Sequence, residues 1–122
     1  MRTRTARTIY IAGPMQGKMD FNYPAFNAWD NVLSALGWKV LNPVKIGDAF
    51  GTGAEIQGDP KLLKAVINAE LAAVAGADAI FLLNGWELSP GARRELAVAL
   101  TNNLVILTTT AMSPEHYSIN AE

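Results

Sequence analysis

The stretch Asp78-Ala79-Ile80-Phe81-Leu82-Leu83 is the strongest strand signal in the chain. It is a short apolar run closed by Asn84-Gly85, which is typical of a strand buried on both faces of a parallel sheet. A second run of this kind, Thr8-Ile9-Tyr10-Ile11-Ala12, is closed by Gly13-Pro14. Two such runs predict the centre of an α/β sheet.

The segments around these strands predict strands that alternate with helices. Apolar residues at helical spacing indicate three helices, which begin at Pro24, Asp59-Pro60 and Ser89-Pro90 and end near Gly37, Gly76 and Asn102. Residues 38–41 and 104–108 are predicted as strands, and residues 44–58 as a long loop. The order βαβαβαβ predicts a flavodoxin-like three-layer α/β sandwich. Its parallel sheet has the order 2-1-3-4, with four strands expected and a fifth left open.

The length of 122 residues fits a single domain. Residues 1–7 carry three arginines and are interpreted as a basic tail, which leaves one domain over residues 8–122. The apolar run after the tail is too short for a signal peptide, and no stretch is long enough to span a membrane.

The composition excludes several kinds of chemistry. The chain has no Cys and a single His, His116, so thiol catalysis, disulfides, zinc held by Cys and a His-rich metal site are excluded. We expect no metal and no cofactor, and a reducing cytoplasm is the natural compartment. The net charge of -1 argues against binding to a nucleic-acid polymer and is compatible with self-association.

Ligands of open α/β sheets bind at the carboxyl ends of the strands, beside the point where the strand order reverses. In the order 2-1-3-4 that point lies between the first and third strands, and it selects the loops 13–22 and 84–91. These loops contain no Walker A or dinucleotide-binding motif. Ser89 is interpreted either as a helix cap or as part of an anion site with the backbone of the following helix. The candidate binding residues are Gly13, Pro14, Met15, Asn84, Gly85, Trp86, Glu87, Ser89, Gly91 and Ala92.

Two acidic residues occupy apolar helix faces. Glu70 lies on the stripe that includes Val66, Ile67 and Val74, and Glu95 lies one turn into the last helix. Each alone is equally compatible with a side chain that extends from the edge of its stripe to solvent. Together, beside a cleft, two carboxylates are what glycosidic chemistry requires: one attacks or stabilises the anomeric carbon and the other handles a proton.

Three segments carry a resemblance to a known family. Ile9-Tyr10-Ile11-Ala12-Gly13-Pro14-Met15, Ala77 to Leu83, and Gly85-Trp86-Glu87-x-Ser89-x-Gly91-Ala92-x-x-Glu95 resemble the nucleoside 2-deoxyribosyltransferase-like superfamily. The similarity is greatest to a small phage- and prophage-associated branch of undefined function. It covers about residues 8 to 108.

The resemblance implies cleavage or transfer at the N-glycosidic bond of deoxynucleosides or their 5′-monophosphates. It implies that Glu95 is the nucleophile, that Tyr10 hydrogen-bonds to it, and that Glu70 assists with the proton and the base, although the family usually has Asp there. It assigns Ser89 to the 5′-phosphate, whereas Pro14 replaces a second serine of the monophosphate hydrolases. Trp86 is a candidate for stacking on the base.

Three other readings stay open. The chain is alternatively a catalytically silent nucleotide-binding module, an interaction protein that keeps only the fold, or, within the enzyme class, a phosphoribohydrolase that acts on ribonucleotides. The resemblance also implies a homo-oligomer, a dimer or higher, in which neighbouring subunits complete each other's sites. The segment 114–118 is a candidate for that contact.

Overall fold

The computed structural model describes residues 7–109, and the predictions for the tails, including the contact segment 114–118, lie outside them. Four strands occur: β1 (Thr8–Ala12), β2 (Lys39–Leu41), β3 (Ala79–Leu82) and β4 (Val105–Thr108). Five helices occur: α1 (Tyr23–Ala35), α2 (Pro43–Asp48), α3 (Gly53–Gly58), α4 (Pro60–Ala75) and α5 (Pro90–Thr101). Two short 3-10 turns, Met19–Asn22 and Trp86–Leu88, precede α1 and α5.

The four strands form one parallel sheet in the order β2-β1-β3-β4, as predicted. The two central strands are in register over their length, with Tyr10 opposite Ile80 and Ala12 opposite Leu82. Every described residue of β3 is buried, and so are Ile9 to Ala12 of β1. The continuous apolar runs therefore mark the two strands that are covered on both faces.

Successive side chains of β1 point to opposite faces of the sheet and into two separate cores. Ile9 and Ile11 pack in the core that contains Phe26 and Trp29 of α1. Tyr10 and Ala12 pack in the other core, with residues of α4 and α5. This alternation directs Tyr10 towards the two helices that carry Glu70 and Glu95.

The prediction of a long loop over residues 44–58 is wrong. This segment contains α2 and α3, which were missed because each is only six residues long and shows little apolar periodicity. Asn42 caps α2 by accepting a hydrogen bond from the Val44 amide, and Thr52 and Glu55 form a capping box at the start of α3. Caps and a first-turn proline replace hydrophobic periodicity as the signal for such short helices.

The edge strand β4 is more exposed than its sequence suggested. Val105 is 51% exposed and Ile106 is 37% exposed, because β4 pairs only with β3 among the described strands. An apolar run alone does not distinguish an edge strand from a central one.

Asp78, expected to be structural, ties the amino ends of the two central strands together. Its carboxylate accepts hydrogen bonds from the Thr8 amide at 2.8 Å and from the Thr8 hydroxyl at 3.2 Å. It lies at the end of the sheet away from the predicted cleft. Across residues 7–109, no helix is both long and apolar enough to cross a membrane.

Candidate active site

A cavity of about 410 Å³ lies at the carboxyl ends of the strands, where the switch-point rule places a ligand. The chain that leaves β1, at Gly13 and Pro14, forms one side of it, and the start of α5 at Ser89 forms another. One face of α4 supplies a long wall, which ends at Glu70. The two candidate carboxylates, Glu70 and Glu95, both line this cavity.

Glu95 is oriented by Tyr10. The Tyr10 hydroxyl donates a hydrogen bond of 2.6 Å to Oε2 of Glu95, which confirms the predicted contact. Tyr10 is fully buried and Glu95 is 7% exposed. Tyr10 does not line the cavity, whereas Glu95 does, so Tyr10 supports Glu95 from the core side.

Burial changes the proton affinity of both carboxyl groups. The pKa of Glu95 is raised to about 8: burial is the main cause and the negative charge of Glu70 adds to it, whereas the Tyr10 hydrogen bond and Arg94 oppose it. Burial likewise raises the pKa of Glu70 to about 7, against the opposing charge of Arg94. At neutral pH the pair therefore carries at least one proton. A site with one carboxylate and one carboxylic acid can supply both a nucleophile and an acid.

Burial by the same core, together with the charge of Glu95 beside it, raises the pKa of Tyr10 well above its usual value. The phenol therefore stays protonated across the physiological range and remains a hydrogen-bond donor to Glu95.

The loop after β1 is held in an unusual conformation. Asp20, Phe21 and Asn22 have φ values of 51°, 54° and 62°, in the left-handed region that non-glycine residues rarely adopt. The Asn22 side chain donates a hydrogen bond of 2.9 Å to the Pro14 carbonyl, and Phe21 packs beside Tyr23 with ring centres 5.7 Å apart. These contacts offset the backbone strain and keep Phe21 at the cavity wall.

Gly53 allows Phe21 to take this position. A Cβ atom at residue 53 would lie 2.8 Å from Cε2 of Phe21, closer than side chains tolerate. The ring thus rests directly on the start of α3, and the loop after β1 and α3 together enclose one end of the cavity.

Ser89 caps α5 and lines the cavity. Its hydroxyl accepts a hydrogen bond of 3.2 Å from the Ala92 amide, so the capping interpretation is confirmed. Gly91, Ala92 and Arg94 line the cavity beside it. Ser89 retains its hydroxyl proton for donation to a ligand, so the second interpretation stays a prediction.

Six of the ten predicted binding residues line the cavity and four do not. Gly13, Pro14, Met15, Ser89, Gly91 and Ala92 line it, whereas Asn84, Gly85, Trp86 and Glu87 lie outside its wall. Trp86 packs against the core that contains Tyr10, and Gly85 lies under Pro14, whose Cγ would be 3.2 Å from a Cβ at residue 85. Gly85 and Trp86 thus pack behind the wall rather than form it, and Asn84 and Glu87 are exposed.

Sequence reasoning missed the part of the wall that comes from residues 43–57, from the mid-loop after β1, and from Tyr23 and Arg94. The missed lining residues are Gln16, Phe21, Tyr23, Pro43, Gly47, Gly53, Ile56, Gln57 and Arg94. The capping box at Thr52 was the available signal, because it marks a helix start within the supposed loop. No group of three or more potential metal-ligating side chains (His, Cys, Asp or Glu) occurs in the described part of the chain.

Comparison with protein families assigns most of this chain to one model. Residues 7–108 match the domain of unknown function DUF4406. The chain belongs to the DUF4406 family. The matched range includes the whole sheet, both carboxylates and the cavity of this DUF4406 domain. A search of curated proteins finds no match to the chain.

Proposed function

We propose that this DUF4406 protein cleaves or transfers the N-glycosidic bond of deoxynucleosides or deoxynucleoside 5′-monophosphates. The observation that carries the proposal is the pair of largely buried carboxyl groups, Glu70 and Glu95, which line one cavity while Tyr10 holds Glu95 from behind. Enzymes that cleave glycosidic bonds commonly use two carboxyl groups whose different environments give them different pKa values and different roles. The cavity volume is in the range of small-molecule sites.

In the proposed reaction, the free carboxylate oxygen of Glu95 attacks C1′ of the sugar. The C1′–N bond breaks, its electron pair leaves with the base, and a proton from Glu70 neutralises the base. Water, or a second base, then attacks C1′ of the glycosyl ester, gives up a proton to the Glu70 carboxylate and releases Glu95 as a carboxylate. These reaction steps require that Glu70, and not Glu95, carries the proton when substrate is bound.

The free protein favours the opposite distribution, because the pKa of Glu95 is raised more than that of Glu70. Bound substrate is expected to move the proton from Glu95 to Glu70. The transition state places positive charge on the sugar next to Glu95, and a nearby positive charge stabilises the ionised form of a carboxyl group. Tyr10 acts in the same direction, since its hydrogen bond lowers the pKa of Glu95, whereas Arg94 lowers the pKa of both carboxyl groups.

Ser89 and the neighbouring backbone of α5 support a place for the 5′ end of the sugar. Ser89 lies at the amino end of a twelve-residue helix and lines the cavity with Gly91 and Ala92. A hydroxyl at a helix amino end suits either a sugar hydroxyl or a phosphate.

The proposal includes a homo-oligomer. Leu88 lines the cavity and is 90% exposed, and Met19 in the loop after β1 is 88% exposed. An exposed apolar side chain that lines the site, as Leu88 does, supports a contact with a second subunit when it belongs to a contiguous apolar patch.

The deciding experiment measures release of free base from the common deoxynucleosides and their 5′-monophosphates. We expect release by the unmodified protein, and a loss of at least about a hundredfold in Glu95→Gln, because the amide is a poor nucleophile. Asp48→Asn is the matched control: Asp48 is exposed, lies outside the cavity wall, and loses the same charge.

Retention of full activity in Glu95→Gln would disprove the nucleophile assignment. Nucleotide binding without base release, unaffected by Glu95→Gln, would instead show a silent binding module. The absence of any rise in melting temperature with all these ligands would indicate a protein that keeps only the fold.

A further inference from the structure

The cavity extends along α4 away from the carboxylates. Leu63, Val66, Ile67 and Glu70 line it from one face of this helix. Glu70 lies seven positions after Leu63, which corresponds to about 10 Å along the helix axis. Since α3 ends at Gly58, immediately before α4 begins at Pro60, the α3 residues Ile56 and Gln57 lie at the end of the cavity remote from Glu70.

Between these two ends most of the wall is apolar, and the hydroxyl of Tyr23, near Gly53, is a polar exception. Leu63, Val66 and Ile67 form one side, and Ile56 and the ring of Phe21 also line the cavity. A wall of aliphatic and aromatic side chains suits the faces of a flat ring and offers nothing to the polar edge of that ring.

Two amide side chains stand at the remote end. Nε2 of Gln16, in the loop after β1, donates a hydrogen bond of 3.0 Å to Oε1 of Gln57 in α3, and both residues line the cavity. In the described part of the chain, Oε1 of Gln16 and Nε2 of Gln57 have no hydrogen-bond partner. The pair therefore offers one free acceptor and one free donor side by side.

We propose that Gln16 and Gln57 bind the edge of the nucleobase and determine which base the protein accepts. The placement of the base rests on the proposed function: a base leaves C1′ on the side opposite the attacking Glu95 and so extends towards the remote end of the cavity. A ring edge with a donor next to an acceptor pairs with the free atoms of the two amides, as carboxamides pair with bases elsewhere.

The test exchanges the free donor for an acceptor by Gln57→Glu. Dissociation constants for the free bases adenine and hypoxanthine are measured by isothermal titration calorimetry, since these purines carry an amino donor and a carbonyl acceptor at the same position. We expect the ratio of the two constants to shift by about tenfold in favour of adenine. Gln57 is exposed, so the variant retains its fold. The control is Asn68→Asp, which introduces the same charge on the exposed side of α4, outside the cavity wall, and is expected to leave the ratio unchanged.

Two results would overturn the inference: no binding of either base to the unmodified protein, or the same ratio in Gln57→Glu as in Asn68→Asp. Base release from deoxynucleosides is measured in parallel and separates this inference from the proposed function. A shifted ratio without any base release refutes the enzymatic proposal and keeps the base site. Base release with an unshifted ratio supports the enzymatic proposal and refutes the base site at Gln16 and Gln57.

Discussion

At the scale of single residues, the hydroxyl of Tyr10 is the group that sets the state of Glu95. Its hydrogen bond is 2.6 Å long, both side chains are buried, and it is the larger of the two influences that lower the pKa of Glu95 against burial. A hydrogen bond to the charged form of a buried carboxyl group stabilises that form. The function of Tyr10 is therefore to keep a buried glutamate able to ionise.

Replacement Tyr10→Phe removes this hydroxyl and keeps the ring. Because a hydrogen bond to an ionised group contributes roughly 1.5–3 kcal/mol, we expect the pKa of Glu95 to rise by about one to two units. Titration of the glutamate side-chain carboxyl carbons by NMR measures this directly, whether or not the protein is an enzyme. An unchanged pKa of Glu95 in Tyr10→Phe would show that the hydroxyl does not stabilise the carboxylate.

At the scale of elements, the site depends on how closely the loop after β1 approaches the end of β3. A Cβ atom at Gly13 would lie 2.8 Å from Cβ of Leu83, which is fixed to the backbone at the end of β3. The Leu83 amide also donates a hydrogen bond of 2.8 Å to the Ala12 carbonyl. Gly13 is thus required for strand packing, a second reason for a glycine that the sequence assigned to ligand approach.

We expect Gly13→Ala to lower the free energy of unfolding by about 1–3 kcal/mol, since it forces an extra methyl group into a packed region. Gly58→Ala is the control, because no atom lies within 4 Å of a Cβ at that position. It should be neutral or stabilise by less than about 1 kcal/mol. Urea unfolding of both variants measures the difference, and equal stabilities would contradict the close packing of Gly13 on Leu83.

A second inter-element contact fixes α2, which contributes Pro43 and Gly47 to the cavity wall. Asn42 is 2% exposed and donates hydrogen bonds of 3.0 Å to Asn27 and to Asp30 of α1, and Lys45 of α2 lies 2.9 Å from the same carboxylate. Although burial raises the pKa of Asp30, these hydrogen bonds outweigh it and lower the pKa below its usual value. The polar cluster satisfies its own groups and anchors the missed helix to the rest of the fold.

At the scale of the whole molecule, the buried carboxyl pair makes folding stability depend on pH. The pKa of Glu70 is raised to about 7 and that of Glu95 to about 8, from values near 4.5 that apply in the unfolded chain. Between about pH 4.5 and 8 the folded state therefore binds more protons than the unfolded state, so stability falls as the pH rises. Asp30 acts in the opposite sense, but only at acidic pH, below its usual range.

We expect the free energy of unfolding to decrease by at least about 2 kcal/mol between pH 5 and pH 8. In the double variant Glu70→Gln, Glu95→Gln this decrease should largely disappear, whereas Asp48→Asn should retain it. Urea unfolding across the pH range gives both curves. A stability that is constant or rises over this interval in the unmodified protein would refute the raised pKa values.

The sequence by itself determined the order of the four strands and the three longer helices, the parallel sheet and the edge at which the cavity opens. Apolar runs, caps and punctuating glycines and prolines are local signals, and the rules of parallel α/β sheets convert them into a topology. Glu70 and Glu95 were selected because they are acidic residues on otherwise apolar helix faces near this edge of the sheet. The structure places both of them in one cavity.

Only the tertiary structure decided the rest of the wall. Gln16, Phe21 and Gln57 are separated in sequence and become neighbours because a left-handed turn and two short helices bring them together. The structure also shows that Trp86, predicted as a binding residue, packs against the core that contains Tyr10. The sequence around a side chain in a loop carries no local signal for the direction in which it packs. Periodicity within one helix or strand can be recognised from the sequence alone. A contact between residues about 40 positions apart, such as Gln16 and Gln57, forms only when the helices and strands pack together.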